Sequence, residues 1–255
     1  MSASFENDPE LYDITPKPNS WRNFLLGKLL LIVATIAVLT ALSLPAYRSA
    51  GRDARRAWCA NNLKQIALAL HNYEHDHKSF PPAYTTDANG RPLHSWRTLI
   101  LPYLEQKSLY EKIDLSKPWN DPVNATASAT NPAVFICPEF VDTKNTTAYL
   151  AVVGPDGFLI PGRPRRFEEF TDGLSSTLAV IEASEEDAVP WMAPFDADAV
   201  TVMKLDTKAK LHHAGGTNAA LADGSVRFLK ADTPAPVRRA LLSISGNDND
   251  AVKEW

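Results

Sequence analysis

From Phe24 to Leu44 the chain reads FLLGKLLLIVATIAVLTALSL, apolar throughout except for one charge, Lys28. As a helix this run spans about 32 Å, roughly the hydrocarbon thickness of a bilayer. Such a stretch cannot be an ordinary surface element; it lies in a membrane or is covered on every side. The residues before it make a poor secretory leader. They are acidic at first (Glu6, Asp8, Glu10, Asp13) and then carry Pro16 and Pro18, and no small-x-small cleavage site follows the apolar run directly. The expectation is a disordered polar tail over 1–23 and a retained single-pass anchor over 24–44, with the lipid bilayer as first partner. Lys28 lies near the start of the span, where its side chain can snorkel to the headgroups.

Charge does not settle which way the anchor points. Lys17 and Arg22 precede it, whereas Arg48, Arg52, Arg55 and Arg56 follow it. Counted by the positive-inside rule, that places the C-terminal side in the cytoplasm. A net charge of −4 argues against a nucleic-acid partner.

Pro45 is expected to end or kink the membrane helix. Helical signal then resumes. Leu63, Ile66, Ala67, Leu70 and Tyr73 recur at three- and four-residue spacing, which predicts an amphipathic continuation over 45–79. Phe80-Pro81-Pro82 stops it. A short helix broken near Pro102 is predicted over Trp96–Lys112. Strands are predicted at Val134–Cys137, Tyr149–Val153, Leu178–Glu182, Val200–Leu205, Asn218–Ala222 and Ser225–Leu229. The last two flank Asp223-Gly224, a strong hairpin signal. A long helix followed by antiparallel strands is an α+β pattern, with a globular domain over 80–235 and a C-terminal tail over 236–255. The two cysteines, Cys59 and Cys137, read either as buried thiols or as one disulfide, which needs an oxidising compartment. Two lone cysteines without histidine neighbours do not predict a metal site.

Several ordered motifs carry a family resemblance. They are LPAYRSAGRDARRAWCANNLKQIALALHNYEHDHKSFPPAY, WRTLILPYLEQKSLYEKIDLSKPWNDPVN, FICP around Cys137, TDGLSSTLAVIEA, VPW at Val189–Trp191, and HAGGTNAALADGSVRFL with His213 ten residues before Asp223-Gly224. Together they resemble the DUF1559 family of planctomycete prepilin-like proteins, over about Phe24 to Leu229. The resemblance implies a type IV pilin-like fold: a long N-terminal helix, half in the inner (cytoplasmic) membrane and half packed on an antiparallel sheet. It implies that the globular part is exported to the periplasmic side. It therefore favours a Cys59–Cys137 disulfide and overrides the charge count. Where the family has a glycine before the phenylalanine of its processing site and a glutamate a few residues on, this chain has Asn23 before Phe24, and Lys28. Lysine would repel the subunit amine that the glutamate is thought to pair with. An uncleaved anchor that does not polymerise like a pilin is the expectation.

No catalytic constellation stands out. There is no GxSxG, no P-loop and no HExxH, so neither an enzyme activity nor a cofactor is expected. His71 and His75 have metal-ligand spacing but, with His77, read as helix-end residues. His213 and Asp223 are weak metal candidates; the alternative makes His213 a hydrogen-bonded loop residue and Asp223-Gly224 a turn. Thr171-Asp172-Gly173 reads as a turn. Glu182, Glu185, Glu186 and Asp187 read as a solvated acidic run, and Trp96, Trp119 and Trp191 as core or loop anchors. The run from Gly246 to Asp250 lacks the closing glutamate of an EF-hand loop. The expected function is a membrane-anchored, pilin-like envelope protein with a structural or interaction role, with other pilin-like subunits or envelope proteins as partners. The alternatives are a pseudopilin-like subunit of an export apparatus and an envelope metal- or ligand-binding module or enzyme.

Overall fold

The structure is a computed structural model that describes residues 20–139, 145–246 and 252. The chain divides into two compact units, Met1–Ala50 and Gly51–Trp255. Helix α1 (Ser20–His77) contributes to both. The tail expected over 1–23 lies outside the described residues as far as 19; from Ser20 the backbone is already helical.

In the first unit, Phe24–Ala41 forms a window of mean hydropathy 2.4 with none of its residues buried. Leu25, Leu30, Leu31, Ile36 and Leu39 all stand exposed, Leu31 to 70%. The hydroxyls of Thr35 and Thr40 donate back to the carbonyls of Leu31 and Ile36 at 2.8 and 2.9 Å, so the few polar groups of the run are satisfied within the helix. The Lys28 ammonium lies 4.2 Å from the centroid of the Phe24 ring, reaching toward the N-terminal end of the run as helical side-chain geometry directs. Pro45 does not end the helix, because the backbone stays helical through it. One lost N–H is tolerated where helix-forming residues continue on both sides. The side chains of Asn23 and Pro45 lie outside the description.

In the second unit the later part of α1 ends at His77. Lys78 closes it in the left-handed conformation (φ 58°), its N–H bonded to the Glu74 carbonyl at 2.7 Å. There follow β1 (Tyr84–Thr86), β2 (Pro92–Ser95), α2 (Trp96–Leu99), α3 (Lys107–Tyr110), α4 (Ala125–Ser128), β3 (Thr146–Thr147), β4 (Tyr149–Ala151), β5 (Leu178–Glu182), β6 (Val189–Pro190), α5 (Ala199–Met203), β7 (Gly216–Leu221), β8 (Val226–Lys230) and α6 (Ala235–Ala240). Strands β4, β5, β7 and β8 form one antiparallel sheet in that spatial order. The fold class is therefore α+β. Every residue of β4, β5 and β7 is buried, so this sheet is covered on both faces. The predicted stripe of α1 covers one of them. Leu63, Ile66, Ala67 and Leu70 are buried with Cys59 and Asn62, and Tyr73 packs at the margin.

A buried ion pair pins the edge of the sheet to the connecting segments. Arg97, on α2, is fully buried and uses all five of its N–H groups. Nε donates to the Trp191 carbonyl (2.8 Å), Nη1 to Asp196 Oδ1 (2.7 Å) and the Tyr149 carbonyl (3.2 Å), and Nη2 to the carbonyls of Ala193 (2.9 Å) and Phe195 (2.8 Å). Asp196 Oδ1 also accepts from Trp96 Nε1 and the Ala151 N–H, both at 2.9 Å. Trp191 donates Nε1–H to the Ser128 carbonyl (3.2 Å), and Trp119 is half-buried against the core. Trp96, Trp119 and Trp191 are thus anchors of the core and its loops.

Three expectations change. Val134–Cys137 is not a strand; Ala133–Phe135 makes a 3₁₀ turn after Pro132, whose fixed φ starts it. Val200–Leu205 is not a strand either. Asp198 caps the N-terminus of α5 there, its carboxylate accepting from the Thr201 N–H at 2.8 Å, and that local bond overrides the β-branched residues. Over its described residues, 236–246 and 252, the segment expected as a tail is packed. Ala240, Leu241 and Ile244 are buried, the Leu241 carbonyl accepts from Leu178 N–H at 2.8 Å, and Ile244 N–H and O engage Asp156 and Asp172. Its apolar residues complete the cover beside β5.

Replacing Arg97 by methionine keeps the volume but leaves the Asp196 carboxylate buried without a cation. Unfolding of the full chain in detergent is expected to show a loss of about 3–5 kcal/mol. Arg97→Lys recovers only part of this, because three donors cannot meet five acceptors.

Candidate metal centre

Antiparallel register and helix period bring four distant residues together. On the helix-facing side of the sheet, Tyr149 of β4 lies opposite Glu182 of β5, and Asn218 of β7 lies opposite Phe228 of β8. The β5–β7 register pairs Ile181 with Ala219, so one further step sets Glu182 beside Asn218. One row, Tyr149–Glu182–Asn218–Phe228, therefore crosses all four strands under α1. The helix meets this row with Arg56, Cys59 and Asn62, which lie at three-residue spacing. The Arg56 guanidinium sits 4.8 Å from the Phe228 ring centroid, Tyr149 Oη donates to the Cys59 carbonyl at 3.5 Å, and Asn62 Nδ2 donates to the Ile136 carbonyl at 2.9 Å. That last bond holds the segment carrying Cys137 against the helix.

Cys59, Cys137, Glu182 and His213 converge here, their donor atoms all within 4.8 Å of one another and each residue buried. His213 Nε2 lies 3.0 Å from Glu182 Oε2, which also accepts from Asn218 Nδ2 at 3.0 Å. The backbone of Glu182 is held too, its carbonyl accepting from the Thr217 hydroxyl. Glu182 Oε1 is buried and has no hydrogen-bond partner.

Gly216 sets the position of His213. A Cβ on Gly216 would collide with the Leu229 carbonyl and stand 2.7 Å from the Phe228 ring, so only glycine lets β8 approach the start of β7 this closely. Gly215 before it takes φ 82°, and the Gly216 N–H returns to the His213 carbonyl at 3.3 Å.

The charges answer one another. Hydrogen bonding to Cys137 lowers the Cys59 thiol to about 7, against the effect of burial. Cys137, as the other partner of that bond and buried, is pushed up. Burial opposes the charge of Glu182 and of His213, and their neighbours outweigh it. Glu182 is held below the usual carboxylate range by His213, with Cys137 and His212 adding to the effect, and His213 is raised to about 9 by Cys59 and then Glu182.

Cys59 and Cys137, the pair expected to form a disulfide, are neighbours here and stand as buried free thiols. The histidine partner missing from the sequence reading is supplied by the fold. Glu182 also departs from its expected place. Glu185 and Glu186 are exposed as predicted, but Glu182 is wholly buried, because it shares the helix-facing side of β5 with Val180, beyond the register shift that separates Val180 from Leu178.

Other predicted residues lie elsewhere. His213 and Asp223 do not meet, standing before and after β7, whose six residues span about 20 Å. Asp223 is exposed in the hairpin turn, where it accepts from the Ser225 N–H (2.9 Å) and hydroxyl (2.6 Å), and Gly224 supplies φ 86°. His71 packs edge-on to Phe80 and His77 stacks on Tyr73, as helix-end residues. Asp172 is buried and accepts from the Gly246 N–H; residues 247–250 of the final acidic run lie outside the described residues.

A thiolate beside an imidazolium has the parts of a nucleophilic dyad. Here Cys59 and Glu182 are each 0% exposed, so neither the Cys59 thiol nor the carboxylate reaches the surface. A groove of about 530 Å³ along α1, lined by Trp58, Asn62 and Val134 among others, includes none of the four. What remains is a closed set of sulfur, nitrogen and oxygen donors.

Removal of His213 leaves Glu182 buried without its counter-charge, so His213→Ala is expected to cost about 3–5 kcal/mol in unfolding experiments. Asp223→Ala, which loses only an exposed turn contact, is expected to cost no more than about 1 kcal/mol. Gly216→Ala is expected to cost about 1–3 kcal/mol through overpacking against β8.

The SBP_bac_10 family model, described as "Protein of unknown function (DUF1559)", matches residues 48–203, more than half of the chain. The match contains Cys59, Cys137 and Glu182 and stops before His213. No curated protein and no solved structure matches the chain.

Proposed function

The chain belongs to the DUF1559 family, and we infer that it serves as a single-pass, membrane-anchored, pilin-like protein of the cell envelope with a structural or interaction role. The observation that carries this reading is the bare span Phe24–Ala41, at mean hydropathy 2.4 with nothing packed on it. Exposed side chains from Leu25 to Leu39 would be a severe liability in water and are at home in lipid. The back-bonded hydroxyls of Thr35 and Thr40 suit the same surroundings.

The pilin-like part of the reading is supported by the way the later half of the helix covers an antiparallel sheet with one apolar stripe. The anchor sits in the inner membrane with the folded domain on the periplasmic side, as the family resemblance implies. Asn23 and Lys28 support retention of the N-terminus and an absence of pilin-like polymerisation. Partners are lipid and other envelope proteins, pilin-like subunits among them.

The chain is expected to stay with the membrane fraction on alkaline carbonate extraction. A double substitution, Val33→Arg with Ile36→Asp, costs about 2.5–3.5 kcal/mol per charge at the centre of the span and is expected to move it to the soluble fraction. Carbonate release of the unaltered chain would defeat the anchor. A C-terminal alkaline phosphatase fusion is expected to be active. Intact mass is expected to retain the N-terminal tail, whereas a mature N-terminus at Phe24 would show processing.

A further inference from the structure

We propose that Cys59, Cys137, Glu182 and His213 form a structural site for one zinc(II) ion. Three features of the site carry this. The first is the donor set, two sulfurs, one imidazole nitrogen and one carboxylate oxygen, with donor atoms within 4.8 Å of one another. In a tetrahedral zinc site, bonds of about 2.0–2.3 Å separate the donors by roughly 3.3–3.8 Å, so small side-chain movements close the shell. Calcium and magnesium are hard ions that take all-oxygen shells and have no use for thiolates. Sulfur and imidazole together select zinc among the ions tolerant of a tetrahedral S₂NO set.

The second feature is Glu182 Oε1, an oxygen on a residue 0% exposed that accepts no hydrogen bond. A buried carboxylate oxygen without a partner is costly, and a cation beside it removes the cost. The third is an outer shell already in place. Asn218 Nδ2 holds Glu182 Oε2 at 3.0 Å, and the Thr217 hydroxyl holds the Glu182 carbonyl. These bonds orient the carboxylate as partners of metal ligands do. The present contact of His213 Nε2 with Glu182 Oε2 at 3.0 Å is one the ion would replace, with both groups turning onto it.

The site offers four protein ligands, all of them buried, which is the character of structural rather than catalytic zinc. It joins four separate pieces of chain: α1, the segment after the 3₁₀ turn at Ala133–Phe135, the end of β5 and the turn before β7. Zinc would therefore clamp the later half of α1 to the sheet it covers, in place of the disulfide expected of the same cysteines.

The test uses the full chain, carrying a tag without histidine, purified in detergent from the envelope without reductant or chelator. The expected results are one zinc per chain by elemental analysis, two alkylatable thiols after denaturation, and a thermal midpoint that falls when a chelator strips the ion and recovers with added zinc. Cobalt(II) added to the stripped chain is expected to give the visible bands of a tetrahedral site with a thiolate charge-transfer band, bleached by one equivalent of zinc. Cys137→Ser is expected to weaken that charge-transfer band. Glu182→Gln, which keeps shape and burial, is expected to weaken zinc binding by more than about a hundredfold, beyond the 10–100-fold loss typical of an outer-shell partner. A mass lower by two hydrogens with no free thiol shows a Cys59–Cys137 disulfide and overturns the proposal. So do free thiols with no cobalt spectrum, or cobalt bands lacking thiolate charge transfer, which would place the ion on surface groups such as His71, His75 and His77.

Discussion

The carboxylate of Glu182 has no access to water, and the second unit is arranged around answering it. A buried charge survives only where partners reach it from several directions. Glu182 ends the central strand β5, so those partners must come from the helix above and from the strands and turns beside it. Asn218 comes from β7, His213 from the turn before β7, Cys59 from α1, and Cys137 from a segment tied to α1 through Asn62. Shifting the β5–β7 register by one residue would turn Glu182 to the other face and dismantle all of these contacts at once. The polar cluster thus fixes how helix and sheet are matched, a precision that interchangeable aliphatic contacts do not supply.

Much of this framework is legible in the chain itself. The apolar run at Phe24–Leu44, the stripe from Leu63 to Tyr73, the strand Leu178–Glu182 and the Asp223-Gly224 hairpin depend on local periodicity and turn chemistry, and periodicity is what a sequence states openly. The errors fall where a local bond competes with residue type. Val200–Leu205 has the β-branched look of a strand, but Asp198 caps it into helix α5. The hairpin of β1 and β2 has its signal in Asn89-Gly90 between the strands, with Gly90 at φ 78° and Asp87 Oδ1 accepting from Asn89 and Arg91 at 2.8 and 2.9 Å.

The site was half legible. The resemblance links Cys59 with Cys137 through a disulfide, and their sulfurs do lie close together; the turn signals put His213 in a hydrogen-bonded loop. What could not be read is convergence, because the four ligand residues lie far apart in sequence and meet only through strand order and helix placement. Glu182 was grouped with Glu185–Asp187 by proximity along the chain. In a strand buried on both faces, inward and outward residues look alike, and the register shift between Leu178 and Val180 blurs the alternation further.

Two buried carboxylates in the same unit show why the donor set, and not burial, distinguishes the candidate site. Asp196 and Glu182 each have one oxygen without a hydrogen-bond partner. Burial pushes the Asp196 carboxyl upward against the neighbouring Arg97 charge. That guanidinium spends every donor on Asp196 and four carbonyls, so this carboxylate already has a cation beside it. Around Glu182 the neighbours are two thiols and an imidazole, groups whose common property is that they bind metals once they give up a proton. A charge held by arginine is a finished structural joint. A charge held by cysteine and histidine is a joint that a metal ion can enter, and this one sits where the later half of α1 meets its sheet.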